Sequence, residues 1–256
     1  MKMPVLFVGH GSPMNIIADN TYTRSLTALG ESIPRPAAVL VVSAHWQTSG
    51  SCVTAADQPP TIYDFYGFPA ELYRETYPCP GSAQQAEIVR QTAPELIAAD
   101  PVRGIDHAGW AVLKFMYPQA DIPVLQMSLD RSKSPRQHYD FARRLAELRQ
   151  KGILIIGSGN IVHNLSRVNF ASLYGETYPW AVAFDRIAGE LLLAGEHDRL
   201  IDYENLPDAR LAVPTNEHYL PMLYALALQT GGDSLDFSCT DMQNGSISMR
   251  SFIIGG

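Results

Sequence analysis

Four short, nearly uninterrupted apolar runs constrain the fold of this chain more than any other feature of its sequence. They cover residues 5–8, 37–43, 122–128 and 153–156. Strands that are apolar on both faces are typical of parallel sheets that helices cover on both sides. The first, second and fourth runs each lead within a few residues into a stretch that carries histidine or glycine. The runs therefore predict buried parallel strands that end in turns.

Helical patterns separate these strands. They cover residues 81–99, 135–151, 179–194 and 216–229, and an alternating run at 246–254 predicts a last strand. Ser82 and Thr215 are placed to cap the first and last of these helices, and Gly152 follows the second. Strand–helix alternation along the chain predicts an α/β fold, a three-layer α/β/α arrangement with a mostly parallel mixed central sheet. We expect one domain that spans residues 1–256.

Composition excludes several classes of protein. The formal net charge of -7 and the lack of a basic stripe argue against a nucleic-acid partner. No apolar stretch approaches the roughly 20 residues that cross a membrane. Cys52, Cys79 and Cys239 show no C-x-x-C spacing, so neither a disulfide framework nor a zinc–thiolate cluster is expected. These features predict a soluble, cytoplasmic protein without a membrane or nucleic-acid partner.

Five of the seven histidines lie where chemistry is expected. His10 and His45 follow the first two apolar runs, and His163 follows the fourth. His107 precedes a helix, and His218 falls in the first turn of the helix predicted at 216–229. A lone histidine at a strand end is more often structural, but the carboxyl ends of parallel strands form one ligand crevice. We therefore expect these side chains to meet there.

The remaining histidines, His138 and His197, lie among charged residues in segments that resemble surface, and no role is assigned to them. Imidazole suits iron, zinc and copper. Histidines at an open crevice, without cysteines, favour a catalytic metal site with vacant positions over a closed structural one. His10 and His45 are the two surest ligands, and a histidine that is not a ligand can move protons. The pattern does not choose the reaction.

An aromatic stretch at residues 59–80 interrupts the strand–helix alternation. Long ordered loops of this kind often form the wall or lid of a site. A loop that is packed by its own side chains is an equally good interpretation.

Eight stretches of the chain together resemble one known family. The sequence is similar to the class III (LigB-type) extradiol ring-cleaving dioxygenases, in the branch of the DOPA 4,5-dioxygenases. The matching stretches run in family order over nearly the whole chain: 9–13 (GHGSP), 42–46 (VSAHW), 60–65 (PTIYDF), 68–69 (FP), 77–78 (YP), 106–110 (DHAGW), 158–165 (SGNIVHNL) and 217–221 (EHYLP). Single motifs such as GHGSP are weakly specific, whereas the ordered set is strong.

The resemblance implies a non-haem enzyme with one mononuclear divalent metal, natively Fe(II), which opens the ring of a small aromatic diol with dioxygen. His10, His45 and His218 match the metal ligands of the family. His163 matches the acid–base histidine, which can lie close enough to touch the metal. His107 matches a second pocket histidine that contacts substrate. Trp46 and Tyr63 are assigned to the wall of the substrate pocket.

One position departs from the pattern of the wider class. That class uses two histidines and a glutamate, whereas the third ligand here is assigned to His218, with Glu217 as the alternative. An all-histidine site also suits Zn(II). Two other functions therefore stay open at this point: a zinc-dependent hydrolase, and a non-catalytic metal-binding protein of the Memo type on the same fold.

Overall fold

The structure is a computed structural model, and it describes residues 2–255. These residues form ten strands: β1 Val5–Gly9, β2 Ala38–Thr48, β3 Ser51–Thr54, β4 Ile97–Asp100, β5 Val124–Asp130, β6 Ile153–Gly159, β7 Leu235–Cys239, β8 Met242–Gln243, β9 Ile247–Ser248 and β10 Ser251–Ile254. Eight of them form the central sheet in the order β4-β3-β5-β2-β6-β1-β10-β7. The four central strands, β5, β2, β6 and β1, pair in parallel, and antiparallel pairs flank them.

In the described part of the chain, eight α-helices accompany the sheet: α1 Thr21–Ser32, α2 Ala83–Arg90, α3 His107–Met116, α4 Pro135–Ala142, α5 Pro179–Ala194, α6 His197–Ile201, α7 Ala209–Ala212 and α8 Leu220–Ala227. Short 3-10 helices cover Pro13–Ile17, Leu72–Arg74, Arg143–Lys151, Leu165–Arg167 and Tyr203–Asn205. None of the helices in residues 2–255 combines the length and the apolar character that a membrane crossing requires.

Alternation along β1 shows how the layers form. Val5 and Phe7 point into a core that they share with α2, α4, α5 and α8, whereas Leu6 and Val8 point into a second core that contains residues of α1 and α3. All four side chains are fully buried. Because successive side chains of a strand face opposite sides of the sheet, each central strand needs apolar residues throughout. The predicted three-layer α/β/α fold with a mostly parallel mixed sheet is confirmed.

Several predicted elements are confirmed in detail. All four apolar runs lie in the parallel centre of the sheet, and α5 begins and ends where the sequence predicted a helix. The Ser82 hydroxyl accepts a hydrogen bond from the backbone N–H of Gln85, as expected of an N-cap. Gly152 ends the 3-10 segment with a φ of 78°, a conformation that glycine adopts without steric cost.

Other predicted boundaries are wrong. The helix predicted at 81–99 ends at Arg90, and the chain then enters the strand β4. Pro94 explains the break, because proline lacks a backbone N–H and disfavours helix at the residue before it. The helix predicted at 135–151 continues beyond Ala142 only as a 3-10 helix. The strand predicted at 246–254 is two strands, β9 and β10, of which β9 pairs with β8 outside the central sheet.

The helix predicted at 216–229 is also shorter, since α8 begins at Leu220. Thr215 does not cap it; the Thr215 hydroxyl bonds to the Glu217 carboxylate instead. His218 therefore lies just before the helix rather than in its first turn. The three cysteines are all unpaired, as expected.

Two strands of the centre bring histidines to the same edge of the sheet. His10 follows β1 directly. His45 was predicted to follow the end of a strand, but it lies within β2. At this point the pairing of β2 with β5 shifts register, between Val42 and Gln47. Such an irregularity bends a strand and re-aims its side chains. The pairing of β2 with β6 stops at Ser43, opposite Ser158, so His45 stands at the open end of that pair.

Candidate metal centre

Three imidazole nitrogens converge at this edge of the sheet. His45 Nε2 lies 3.1 Å from His10 Nε2 and 3.2 Å from His218 Nε2. His10 and His218 are buried, and His45 is partly buried. The three residues come from the end of β1, the irregular part of β2 and the segment before α8. Their ligand atoms lie within 4.8 Å of one another, as donors about 2 Å from one ion would.

The outer nitrogen of each ring faces a hydrogen-bond acceptor. His10 Nδ1 lies 3.1 Å from Ser158 Oγ, and the Ser158 hydroxyl donates its own proton to the carbonyl of Ala108. His218 Nδ1 lies 3.0 Å from Glu217 Oε1, and His45 Nδ1 lies 3.0 Å from Asp64 Oδ2. A neutral imidazole carries one proton. These acceptors therefore place the proton on Nδ1 in all three rings.

With Nδ1 protonated, the three Nε2 atoms present lone pairs to one another. Neutral lone pairs at about 3 Å repel, whereas a cation between them would be attracted to all three. Metal-bound histidines commonly show this arrangement, in which the outer N–H donates to a carboxylate or another acceptor. The donor set therefore fits a divalent metal, with His10, His45 and His218 as its ligands.

Burial and charge tune the three rings differently. Burial, together with neighbouring histidines, holds the pKa of His10 and of His218 well below the ordinary value. Burial acts in the same direction on His45, but its contact with Asp64 and the charges of Asp106 and Glu217 raise the pKa of His45 overall. The surrounding carboxylates thus favour one positive charge at the centre of the cluster, either a proton or a metal ion.

A single carboxylate joins the cluster to His107. Asp64 Oδ1 accepts hydrogen bonds from the backbone N–H and from Nδ1 of His107, both at 2.9 Å. The His107 ring lies 4.2 Å from that of His45 and 5.3 Å from that of His10, centroid to centroid. Burial alone would raise the pKa of Asp64, but the hydrogen bond from His107 and the close contact with the His45 imidazole hold it well below its usual range. Asp64 is therefore an anion at neutral pH.

A second buried carboxylate supports β2 from behind. Asp106 is fully buried and pairs with Arg103 at 3.0 Å. It also accepts the Ser43 hydroxyl proton at 2.9 Å, and Ser43 Oγ accepts the backbone N–H of His45. This chain of bonds fixes the backbone where His45 leaves the sheet.

His163 lies against one ligand rather than among the three. Its ring stacks on that of His218, with centroids 3.5 Å apart and planes 11° apart. Its ring nitrogen groups with Glu217 and His218, not with His10 and His45. Burial, opposed in part by Glu217, lowers the pKa of His163 to about 4. The imidazole is therefore neutral near pH 7 and able to take up a proton.

The two residues assigned to the pocket wall, Trp46 and Tyr63, pack against residues other than the clustered histidines. Trp46 is buried, with the Arg103 guanidinium 5.2 Å from its ring centroid. Tyr63 donates its hydroxyl proton to the carbonyl of Glu75 and packs on Trp110. The aromatic ring that reaches the histidines is Phe65, edge-on to His107 at 5.5 Å.

Sequence reasoning therefore missed Asp64 and Phe65. The signal available was an acidic residue placed directly between two aromatic residues, Tyr63 and Phe65. The loop at 59–80 satisfies both interpretations given above: its rings pack on one another, and Asp64 and Phe65 also line the histidine cluster.

The prediction that His138 lies on a surface-like segment is wrong. It is 1% exposed, and its Nδ1 lies 3.0 Å from the Tyr224 hydroxyl. His197 is half-buried between the Tyr139 hydroxyl and the Gln229 side chain. Their contacts lie on the side of the sheet that carries α4 and α8, and neither ring is among those grouped around the candidate metal position.

A groove of about 890 Å³ opens beside the cluster. The segment from Tyr203 to Glu217 lines it, including Arg210, Val213 and Asn216. Pockets that hold small organic ligands have volumes of about 300–1,000 Å³. Glu217 lines the groove and also bonds to His218, so the groove borders the histidine cluster through this one residue.

The fold and the histidine cluster define a class of metal-dependent α/β enzymes whose ligands meet at the carboxyl edge of a parallel sheet. Residues 5–244 match the family described as the catalytic LigB subunit of aromatic ring-opening dioxygenase, and the chain belongs to this family. It is an extradiol dioxygenase and hence an oxidoreductase. The family implies a mononuclear metal, an aromatic substrate and dioxygen.

Individual relatives agree over nearly the whole chain. The chain is 46% identical to the 4,5-DOPA dioxygenase extradiol of Escherichia coli (strain K12), over 99% of this chain and 95% of that protein. It is 35% identical to the protein of the same name from Beta vulgaris, over 96% and 94%. A crystal structure of an uncharacterized Escherichia coli K12 protein superposes with a TM-score of 0.85 at 41% identity, over 99% of this chain and 100% of that one.

Proposed function

We propose that this enzyme opens the ring of a DOPA-like catechol with dioxygen at one non-haem metal ion held by His10, His45 and His218. The observation that carries the proposal is the convergence of three Nε2 atoms whose Nδ1 protons are directed to outside acceptors. The names of the relatives supply the choice of substrate. Ligands from both ends of the sequence support one catalytic domain across residues 1–256.

The metal is proposed to be Fe(II). An Fe(II) ion held by His10, His45 and His218 would supply the redox chemistry of ring opening. Three imidazoles also suit Zn(II), which binds readily but has no redox chemistry. The site is therefore expected to accept either ion and to turn over only with iron.

His163 is the proposed acid–base group. Its pKa near 4 leaves the ring neutral at pH 7. A neutral imidazole nitrogen can accept the proton of a catechol hydroxyl and return it later to the opened product. Its stacking on His218 keeps that nitrogen within a few ångströms of the proposed metal position.

His107 is proposed to orient the ring of the substrate. Asp64 holds the proton of His107 on Nδ1, so Nε2 carries a lone pair and can accept a hydrogen bond from a catechol hydroxyl. The edge-on contact with Phe65 restricts the imidazole to one orientation. Trp46 and Tyr63 are still proposed to belong to the wall of the substrate pocket. Trp46 packs against Arg103, and Tyr63 packs against Trp110.

The groove at Tyr203–Glu217 is the proposed route for the polar tail of the substrate. A catechol in the metal site would lie next to His163 and His218, with Glu217 beyond them. Arg210 and Glu204, both in the groove, carry charges of the two signs that a zwitterionic amino-acid tail presents. The volume of the groove suits a substituted catechol.

The decisive experiment is oxygen uptake by protein prepared without air. The metal-free protein is loaded with Fe(II) or Zn(II) and given DOPA, caffeate or unsubstituted catechol. The Fe(II) protein should consume one dioxygen per catechol and give a yellow product, whereas the Zn(II) protein should consume none. If the Fe(II) protein takes up no oxygen with any of the three catechols, the proposal fails. Hydrolytic turnover by the Zn(II) protein would support the hydrolase alternative.

A further inference from the structure

We infer that Asp64 is a positioning residue that couples two parts of the site: it sets the proton position and ring orientation of His45, which holds the metal, and of His107, which faces the substrate. The inference rests on the proposed function of the histidine cluster. It adds to the parts already proposed for Tyr63 and Phe65 a further role for the aromatic loop at 59–80, which also carries Asp64.

The contacts of Asp64 divide between its two oxygens. Oδ1 accepts both the backbone N–H and the Nδ1–H of His107, each at 2.9 Å. Oδ2 lies 3.0 Å from His45 Nδ1, but that N–H points off the line between the atoms. No residue among 2–255 gives Oδ2 a well-aligned hydrogen bond, although the atom is buried. Oδ2 is thus the acceptor toward which the His45 ring can turn.

One rigid carboxylate cannot serve the two histidines independently. Its oxygens are fixed relative to each other, so a rotation that improves the bond to His45 also moves the acceptor of His107. The His107 backbone N–H, at the first residue of α3, fixes Oδ1 in turn. The orientation of the substrate-facing ring and the grip on the metal therefore depend on the same side chain.

The loop holds Asp64 from both sides. On one side, Thr61 pairs with Ile105, and the Ile62 carbonyl accepts the indole N–H of Trp110 at 3.0 Å. On the other side, Phe65 packs edge-on against His107. The residue is therefore anchored to α3 and to the segment before it. Its carboxylate is pre-positioned rather than recruited by the metal.

The proposed test replaces the carboxylate by an amide of equal size. In Asp64→Asn, one oxygen remains an acceptor, but the amide nitrogen presents N–H groups to a ring N–H. The variant therefore cannot satisfy both histidines in their present tautomers. His107→Gln serves as the comparison that alters only the substrate-facing residue. Asp19→Asn is the matched control, because it makes the same chemical change on a side chain that is 83% exposed.

Two quantities are measured for each variant: the dissociation constant for Zn(II), by competition with a chromogenic chelator, and KM and kcat for a catechol with saturating Fe(II). Asp64→Asn should weaken Zn(II) binding about 10–100-fold, the usual effect of losing a partner of a metal-bound histidine. It should also raise KM for the catechol. His107→Gln should raise KM and leave the Zn(II) affinity within threefold of the native protein. Asp19→Asn should change neither.

Zn(II) binding by Asp64→Asn within threefold of the native protein would overturn the inference, as would weaker metal binding with an unchanged KM. A native-protein measurement keeps the test valid if the variant does not fold. In the Zn(II)-loaded native protein labelled with ¹⁵N-histidine, His45 and His107 should both show the Nδ1-protonated tautomer, and Nε2 protonation of His107 would contradict the inference. Neither Zn(II) affinity nor tautomer depends on turnover, so a failure of the proposed ring-opening activity is distinguished from a failure of this coupling.

Discussion

Gly159, the last residue of β6, packs directly against the backbone of His218, the proposed third ligand. A Cβ added at this position would lie 2.0 Å from the carbonyl oxygen of His218. Asn160, the next residue, donates its backbone N–H to that same carbonyl at 2.8 Å. The position of His218 is therefore set by direct contact with the end of β6, and Gly159→Ala tests how much the metal centre depends on it.

The expected displacement follows from the distances. Real Cβ atoms essentially never approach another heavy atom closer than 3.0 Å, so the alanine must push the His218 backbone away by about 1 Å. Metal–ligand distances tolerate deviations of only about 0.2 Å. A shift of this size would take His218 Nε2 out of reach of an ion held by His10 and His45. With two ligands left in place of three, we expect Zn(II) affinity to fall at least about 100-fold.

The assay is chelator competition for Zn(II), with thermal unfolding of the metal-free protein measured in parallel. Overpacking of this kind costs about 1–3 kcal/mol of stability, which lowers the unfolding temperature without abolishing the fold. Gly231→Ala is the matched control, because nothing lies within 4 Å of its added Cβ. Native-like Zn(II) affinity in Gly159→Ala would show that this contact does not set the third ligand.

Three further predictions concern the third ligand, pH and the packing of the chain ends. His218→Ala should abolish tight metal binding, as measured by chelator competition. Glu217→Gln keeps an acceptor for His218 Nδ1 and should weaken metal binding about 10–100-fold. Loss of metal in the Gln variant alone would make Glu217 the ligand. Burial lowers the pKa of His138 to about 4, so this residue takes up a proton more readily in the unfolded state, and it alone should contribute a loss of about 3 kcal/mol of stability between pH 7 and pH 4. Urea unfolding of metal-free His138→Gln should show a correspondingly smaller loss, and an unchanged pH slope would contradict the assignment. Arg149→Met removes a buried guanidinium that donates to the carbonyls of Met3 and Leu228 and pairs with Asp233; urea unfolding should show a loss of about 3 kcal/mol, and a loss below about 1 kcal/mol would refute it.

The centre of the sheet could be predicted because its strands are buried on both faces. β1 contains only apolar residues and glycine, and β6 adds a single serine. Such runs have few alternative structures. The strands at the edges of the sheet were harder to predict. β4 is four residues long with two exposed positions, so its hydrophobic pattern is too short to distinguish it from the end of a helix. Pro94 was the available signal for that boundary.

The histidine cluster was predictable for a related reason. The rule that parallel strands present their carboxyl ends at one edge brings His10 and His45 together without any knowledge of the loops. Asp64 could not be predicted in the same way. It lies in a loop whose path is set by contacts with Trp110 and Ile105, and no periodicity in the sequence encodes such contacts.

The difference between His218 and Glu217 shows how local structure decides which of two adjacent residues faces the proposed metal position. Helix α8 begins only at Leu220, so residues 216–219 form a turn whose carbonyl at His218 is bound to the end of β6. In that turn the imidazole points to His45, and the carboxylate points back to His218 Nδ1 and the Thr215 hydroxyl. With a metal at the proposed position, a glutamate here would supply its negative charge through the imidazole rather than by direct ligation. The all-histidine donor set therefore keeps an anionic partner, because Glu217 stands behind His218 as Asp64 stands behind His45.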